Sequence, residues 1–264
     1  MSIISSIANS TATKAIDIML IFSEEKTIWS ALEIADALAM PRSTIYRYLN
    51  SLRVHGLIVE DESGGFRIGP RIFELARVAR ASTSILRIAE SQLIELRDRF
   101  DEAVTLYERV GMDMIFLDRY ASCQRITVTF ERSRLLPWPG HASAKLLLAL
   151  APESERNACI AVMKPVRYTA KTLSDKPALL TELERIRRDR HAISDEEIGN
   201  GMWAVAAPVF SADEARYCVS VAAPKFRIAG KSQLAKKIIT ATKATAETLT
   251  TELKSSLTTA HKRQ

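Results

Sequence analysis

Cysteine and histidine are both scarce in this chain of 264 residues. The three cysteines, Cys123, Cys159 and Cys218, are far apart, odd in number and in no C-x-x-C pair, which argues against a disulfide framework and against zinc. The four histidines, His55, His141, His191 and His261, are equally scattered, so no metal site is expected. Long apolar runs are missing as well. Asp17 interrupts "AIDIMLIF" and "LLLALA" is short, whereas a membrane span needs about 18 residues. The opening "MSIISSIANS" lacks the cationic region and the apolar core of a secretory signal. A cytoplasmic protein with no membrane partner is expected. There is no Walker-type loop, no dinucleotide glycine motif and no G-x-S-x-G elbow. The best nucleophile candidates, Ser143 or Cys218 beside His141, come with no acid that the sequence singles out. Neither a catalytic residue, nor a cofactor, nor enzymatic activity is expected.

Acid is missing from one region. No Asp or Glu stands between Asp36 and Glu60, although the chain carries 31 acidic groups against 37 Lys and Arg. The net charge of +6 does not explain this, because residues 1–80 hold nine basic and nine acidic groups. Much of the excess lies in residues 225–264, where nine Lys or Arg face two Glu. The gap is filled by "MPRSTIYRYLNSLRVHG", residues 40–56. Pro41 suits the start of a helix, where its missing N–H costs nothing. Ile45, Leu49 and Leu52 then recur at i, i+4 and i+7, an inward stripe, and Gly56 is a natural stop. Arg42 falls in the first turn, and Ser43, Tyr46, Arg47, Asn50 and Arg53 fall on the outward side.

The flanking segments give this helix a context. "TKAIDIMLIFS" (13–23) predicts a first helix with Ile16, Met19 and Leu20 on one face. In "SALEIADAL", Ser30 stands three residues before Glu33, a capping box, and Leu32, Ala35 and Leu38 share a face. After Gly56, "LIVE" and "FRIG" flank "DESGG", two short strands about a turn. Helix, helix, short turn, helix and hairpin make a winged helix-turn-helix over residues 1–69. In such a motif the outward side of the third helix meets phosphates and base edges, with Arg suited to guanine and Asn to adenine. An acid there would face phosphate, which gives the gap a physical reason. The candidate DNA-binding residues are Arg42, Ser43, Thr44, Tyr46, Arg47, Asn50, Arg53 and, on the hairpin, Arg67.

"PRIFELARVARA" predicts a linker helix within residues 70–83, and "SILRIAESQLIELRDRF" (84–100) another helix with Ile85, Ile88, Leu93 and Leu96 apolar. The pattern then changes to alternating, β-branched runs: "AVTLYERV", "MDMIFLDRYA", "RITVTF", "WAVAAPVF" and "YCVSVAA". Helices are expected at about 141–150, 153–162 and 174–190, with a long one from Lys231. Residues 84–264 thus read as a mixed α/β domain on a largely antiparallel sheet. Within it, "PWPGHASAK" sets two prolines and a glycine before a helix. The amides of Ala142, Ser143 and Ala144 would then point free from its first turn and attract a carboxylate. His141 stands beside this helix start, either capping it or touching ligand, and Trp138 could supply an apolar wall.

Three stretches in order carry a family resemblance: "LEIADALAMPRSTIYRYLNSLRVHGLIVEDESGGFRIGPRIFELA", "LPWPGHASAKLLLALAP" and "SDEEIGNGMWAVAAPVFSADEARYCVSVAAPKFRI". The chain resembles the IclR (isocitrate lyase regulator) family of bacterial transcription factors from about residue 12 to about residue 255. The resemblance implies a GAF-like α/β effector-binding domain that takes a small organic or aromatic acid. It also implies a homodimer joined through the N-terminal domains, often paired again into a tetramer, on a pseudo-palindromic double-stranded DNA operator. Matched to the family pattern, Ala142, Ser143, Asp195, Ala204, Ser220 and Ala222 lie near the pocket. Members usually carry Gly just before the Lys that is Lys145 here, and this chain has Ala144. With Ala204 and Ala222 also apolar, the pocket suits an aromatic or larger acid better than a two-carbon one. Ser220 could instead be satisfied by the backbone, and Cys123 and Cys218 read as small core residues. The alternative functions are a constitutive DNA binder without an effector and, more remotely, a hydrolase on the α/β domain.

Overall fold

The computed structural model describes residues 11–111, 113–128, 140–164 and 166–261. They form two units that divide after Ser82. Among these residues no helix is long and apolar enough to cross a membrane.

In the first unit, α1 (Thr11–Leu20), α2 (Ala31–Ala37) and α3 (Arg42–Val54) are followed by the antiparallel strands β1 (Ile58–Glu60) and β2 (Phe66–Ile68) and by α4 (Arg71–Ser82). The capping box at α2 is complete: the Glu33 amide donates to Ser30 Oγ at 3.2 Å and the Ser30 amide donates to Glu33 Oε2 at 2.8 Å. A hydrogen bond from Lys26, then those from Ser30, hold the Glu33 carboxyl at a pKa of about 2. Ile45, Leu49 and Leu52 are buried as expected, joined by Tyr48. Two other faces differ from expectation. On α1 it is Ile18 that is buried, with Ile16 56% and Leu20 59% exposed, and on α2 Ala31, Ile34 and Ala35 face inward while Leu32 is 43% exposed. The wing is tied to the helices by a bridge in which Trp29 and Phe66 exchange backbone bonds of 2.9 and 2.8 Å.

The second unit is a sheet of order β4-β3-β7-β6-β5, antiparallel throughout. Its strands are β3 (Ala103–Val110), β4 (Asp113–Tyr120), β5 (Ala192–Asp195), β6 (Met202–Ser211) and β7 (Glu214–Pro224). Strand side chains alternate between faces, and the two faces have different chemistry. Val104, Leu106, Val205, Val209, Val219 and Val221 pack against α5 (Ser84–Phe100) and α10 (Ser232–His261). Tyr107, Ala204, Ala206, Cys218 and Ala222 pack instead with α6 (Ala142–Leu150), α7 (Glu153–Val162) and α8 (Lys176–Asp189). The short α9 (Lys225–Ile228) follows β7.

"RITVTF" is not a strand where it is described. Residues 125–128 have no ladder, and hydrogen bonds from charged side chains hold this stretch: Arg119 donates to Val128 O at 2.8 Å and Arg227 to Ile126 O at 2.9 Å. Phe130 and Thr129 lie outside the described residues. The four-residue β5 was not anticipated.

Gly56 takes the left-handed conformation (φ 69°) that ends α3, and Gly69 crosses directly against it. The Gly69 amide donates to Leu57 O at 2.7 Å, and a Cβ on Gly69 would collide with the Gly56 carbonyl and the backbone of Leu57. Gly69→Ala is expected to destabilise the first unit by about 1–3 kcal/mol through overpacking, read by denaturant unfolding. An unchanged midpoint would show that the crossing relaxes freely.

Candidate functional site

The first candidate surface is the outward side of α3. Arg42, Ser43, Tyr46, Arg47, Asn50 and Arg53 are exposed, Thr44 is half-buried, and Arg67 is exposed on β2. Among the described residues neither Arg42 nor Arg47 pairs with a carboxylate, and the Arg47 guanidinium lies 5.3 Å from the centre of the Tyr48 ring. Arg53 is engaged. It donates to Glu60 Oε2 at 3.0 Å and to Asn50 Oδ1 at 3.2 Å, so the acid that closes the sequence gap reaches back to the end of this helix. The free cationic groups are therefore at the N-terminal half of α3, around Arg42 and Arg47.

The second candidate surface is the sheet face beneath α6. Register defines three rows across it. Arg119, Thr105, Ser220, Ala206 and Ala192 stand side by side on the five strands. Phe116, Tyr107, Cys218 and Pro208 form the next row, and Ala103, Ala222, Ala204 and Ser194 the one on the other side. Small residues and hydroxyls dominate this face, in contrast to the Val- and Leu-rich one, and α6 packs against it. Tyr107 stands edge-on to Phe116 with ring centres 6.2 Å apart, and its ring centre is 6.4 Å from that of His141.

Over this floor lies α6, buried on all sides from Ala142 to Ala149. A helix apolar all round belongs in a core, but Lys145 is 1% exposed. Its ammonium is held by Glu197 at 2.6 and 2.8 Å, by Ile193 O at 2.7 Å and by Glu182 at 3.5 Å. Burial pushes the Glu197 carboxyl up, with Lys145 opposing. The start of α6 is set by the loop before it. Ser194 Oγ donates to Gly140 O at 3.1 Å, and a Cβ on Gly140 would strike Ile198 and Tyr168. The first helical bond runs from the Lys145 amide to His141 O at 3.1 Å, so the amides of Ala142, Ser143 and Ala144 precede the ladder.

His141 occupies the N-cap position without a side-chain cap bond. Burial, and then the nearby Lys145, push its pKa down to about 4, so the ring is a neutral hydrogen-bonding group. Ser143 is 2% exposed and bonds Cys218, whose thiol burial pushes up to about 12. Such a thiol is no nucleophile at neutral pH. Ser220 Oγ donates to Val205 O at 3.0 Å, the backbone satisfaction that the sequence left open. Burial also raises the Tyr107 hydroxyl, against a hydrogen bond from Thr105 and the positive field of Arg119.

Of the predicted pocket residues, the fold gathers His141, Ala142, Ser143, Ala204, Ser220 and Ala222 into one core. Asp195 stands apart: it pairs with Trp203, which packs in the opposite core, and its Oδ2 takes Lys225 at 2.5 Å. Trp138 lies outside the described residues. Thr105, Tyr107, Phe116 and Cys218 share this face as well, and parity within "AVTLYERV" and "YCVSVAA" carries the signal for all but Phe116. Cys123 is exposed, while Cys159 and Cys218 are buried. Among the described residues no group of His, Cys, Asp and Glu is set to hold a metal.

Known proteins match both units. The model of the IclR helix-turn-helix domain covers residues 11–62 and that of the bacterial transcriptional regulator IclR C-terminal domain covers residues 78–251. The transcriptional regulator TtgV of Pseudomonas putida is 30% identical over 219 residues, 83% of each protein. A solved IclR-type regulator from a Silicibacter species superposes with a TM-score of 0.83 at 25% identity, over 92% of this chain and 96% of that one. An IclR homolog from Microbacterium hydrocarbonoxydans, complexed with 4-hydroxybenzoate, superposes with a TM-score of 0.75 at 21% identity, over 93% of this chain and 100% of that one.

Lys145→Met should cost about 3–5 kcal/mol in unfolding free energy, because it leaves Glu197 buried and unmatched. Adding Glu197→Gln should recover part of that loss. A single variant as stable as the parent would show that the ion pair does not anchor α6. His141 gives a pH signature. Its folded pKa of about 4 lies below the ordinary 6.5, so the unfolded chain takes up the proton first. The contribution is complete above about pH 6.5 and falls as pH drops towards 4. Comparing unfolding of the parent and His141→Gln across that window should show the slope flattened in the variant.

Proposed function

The chain belongs to the IclR family of transcriptional regulators and carries its DNA-binding helix-turn-helix; on that premise we propose that occupancy of its operator is set by a small organic acid bound under α6. The division we adopt is residues 1–69 for DNA binding, 70–83 for the linker and 84–264 for effector binding and oligomerisation. The observation that carries the reading is the contrast between the two faces of the second unit's sheet: branched side chains fill one, and the other, under α6, is built of Ala, Ser, Thr, Tyr and Cys. The lining is mostly apolar with two aromatic rings and a neutral imidazole, which suits an aromatic acid. The neighbour complexed with 4-hydroxybenzoate supports that choice.

For DNA, Arg42, Ser43, Thr44, Tyr46, Arg47 and Asn50 form the reading face of α3, and Arg67 a contact from the wing. Arg53 orients Asn50 and Glu60 more than it reaches outward. The operator is a pseudo-palindrome read by a homodimer, or by two dimers in a tetramer. Helix α4 supports assembly: none of its residues is buried, and Phe73 is 80%, Val78 54% and Leu75 51% exposed. An isologous contact would cover such exposed apolar side chains. The same helix is the candidate coupling element, since an effector that prefers one arrangement of subunits must change operator affinity.

Arg47→Ala is expected to weaken operator binding by about 1–3 kcal/mol, measured by fluorescence anisotropy, while the acid binds the variant as it binds the parent. Equal loss of both activities in a folded variant would contradict the assignment.

A further inference from the structure

The proposed effector is an anion, yet among the described residues several cations of the second unit are already paired. Lys145 is saturated by Glu197 and Ile193 O. Lys225 is taken by Asp195. Arg227 grips the buried Glu102 with two bonds, at 2.6 and 2.7 Å, and its third nitrogen goes to Ile126 O. Arg109 sits between Glu155 and Glu214. His141 is neutral above about pH 4, and the first turn of α6 offers only peptide dipoles.

Arg119 is different. It is half-buried and faces Thr105 directly, in the row that continues through Ser220 to Ala206. One guanidinium nitrogen, Nη2, donates to Val128 O at 2.8 Å. Among the described residues no carboxylate pairs with it. A guanidinium has five donors in a planar fork, so a carbonyl at one corner leaves an edge for a second, bidentate partner. A charge drawn partly out of water without a counter-ion is unfavourable, and a carboxylate at that edge removes the penalty. Its cross-strand neighbour Thr105 adds a hydroxyl beside it, and the Phe116–Tyr107 pair flanks it on the next row.

We propose that Arg119 is the anion-recognising residue of the effector site, and that the site selects a flat monocarboxylate: the carboxylate is bidentate on Arg119 and the ring lies on the floor of small residues. This rests on the reading of the α6 face as the effector site. One bidentate cation, with no second free one established beside it among the described residues, favours one carboxylate over two, because a second would be buried unpaired. The positive field that Arg119 exerts on Tyr107 is in keeping with a guanidinium reaching over this face.

The test is calorimetric titration of the full-length parent, Arg119→Gln and Arg119→Lys with benzoate, 4-hydroxybenzoate and phthalate, each acid paired with its amide. The parent should bind a monocarboxylate more tightly than its amide or phthalate. Arg119→Gln should lose roughly 10- to 100-fold for the acid, the scale of a charge-assisted pair, and nothing for the amide. Arg119→Lys, which keeps charge without the fork, should fall between. Equal affinity of parent and Arg119→Gln for the acid overturns the assignment while leaving the effector reading intact, as does a parent that prefers the amide. If neither acids nor amides bind the parent, the effector reading fails and takes this assignment with it. Far-ultraviolet circular dichroism checks folding, and a misfolded glutamine variant leaves the lysine variant to decide: undiminished acid affinity there overturns the bidentate contact.

Discussion

An ammonium sealed inside an apolar helix has to be matched, and the match made by Lys145 organises the α6 side of the second unit. Its partners come from three places in the chain: Glu197 after β5, the Ile193 carbonyl within β5, and Glu182 on α8. Removing either Lys145 or Glu197 leaves the other buried without its main partner, which ties the helix to the loop after β5. Glu182 is in turn held by Arg185 with bonds of 2.8 and 2.9 Å, which carries the constraint along α8. Because α6 cannot slide, its first turn, with His141 and Ser143, is set at one place over the sheet.

The sheet completes the site through side-chain size. Strands β3, β6 and β7 send branched or aromatic residues towards α5 and α10, where they make a dense core. On the other face the same strands carry Ala103, Thr105, Ala204, Ala206, Ser220 and Ala222. Small side chains alone would invite α6 to collapse onto the sheet; the buried ion pair and the Ser194–Gly140 bond set where the helix begins. Chemistry at the site is then that of neutral donors and acceptors in an apolar setting, with one guanidinium at the margin.

Much of the first unit is legible in the sequence because its signals are local. The Ser30–Glu33 capping box, the Ile45–Leu49–Leu52 stripe and the Gly56 stop each depend on residues within two turns. On α1, apolar residues at 16, 18, 19 and 20 surround the helix, and periodicity picked Ile16 and Leu20 where packing picked Ile18. An exposed apolar stripe looks the same as a buried one until a partner is known. In the second unit the four long strands are legible in the sequence, whereas the short β5 is not, and "RITVTF" reads as a strand that residues 125–128 do not form. Parity within "AVTLYERV" separates Ala103, Thr105 and Tyr107 from Val104 and Leu106, but the face becomes a site only once register sets Thr105 between Arg119 and Ser220. Asp195 shows the limit of carrying a pattern across: one residue from Ser194, it falls on the other side of the sheet. The Lys145–Glu197 pair spans 52 residues, a separation at which sequence spacing says nothing.

Two surfaces of different chemistry are thus built on one chain: an outward helix face without carboxylates, and a mostly neutral, small-residue floor that we propose takes an acid. A regulator requires that they be energetically linked, and linkage is reciprocal. The most direct measurement is the affinity of the acid for the protein with and without saturating operator DNA, alongside the affinity for operator with and without saturating acid. The account predicts that both ratios differ from unity and agree, typically by 5- to 150-fold. An acid that binds the second unit while operator affinity stays the same at saturation would contradict it.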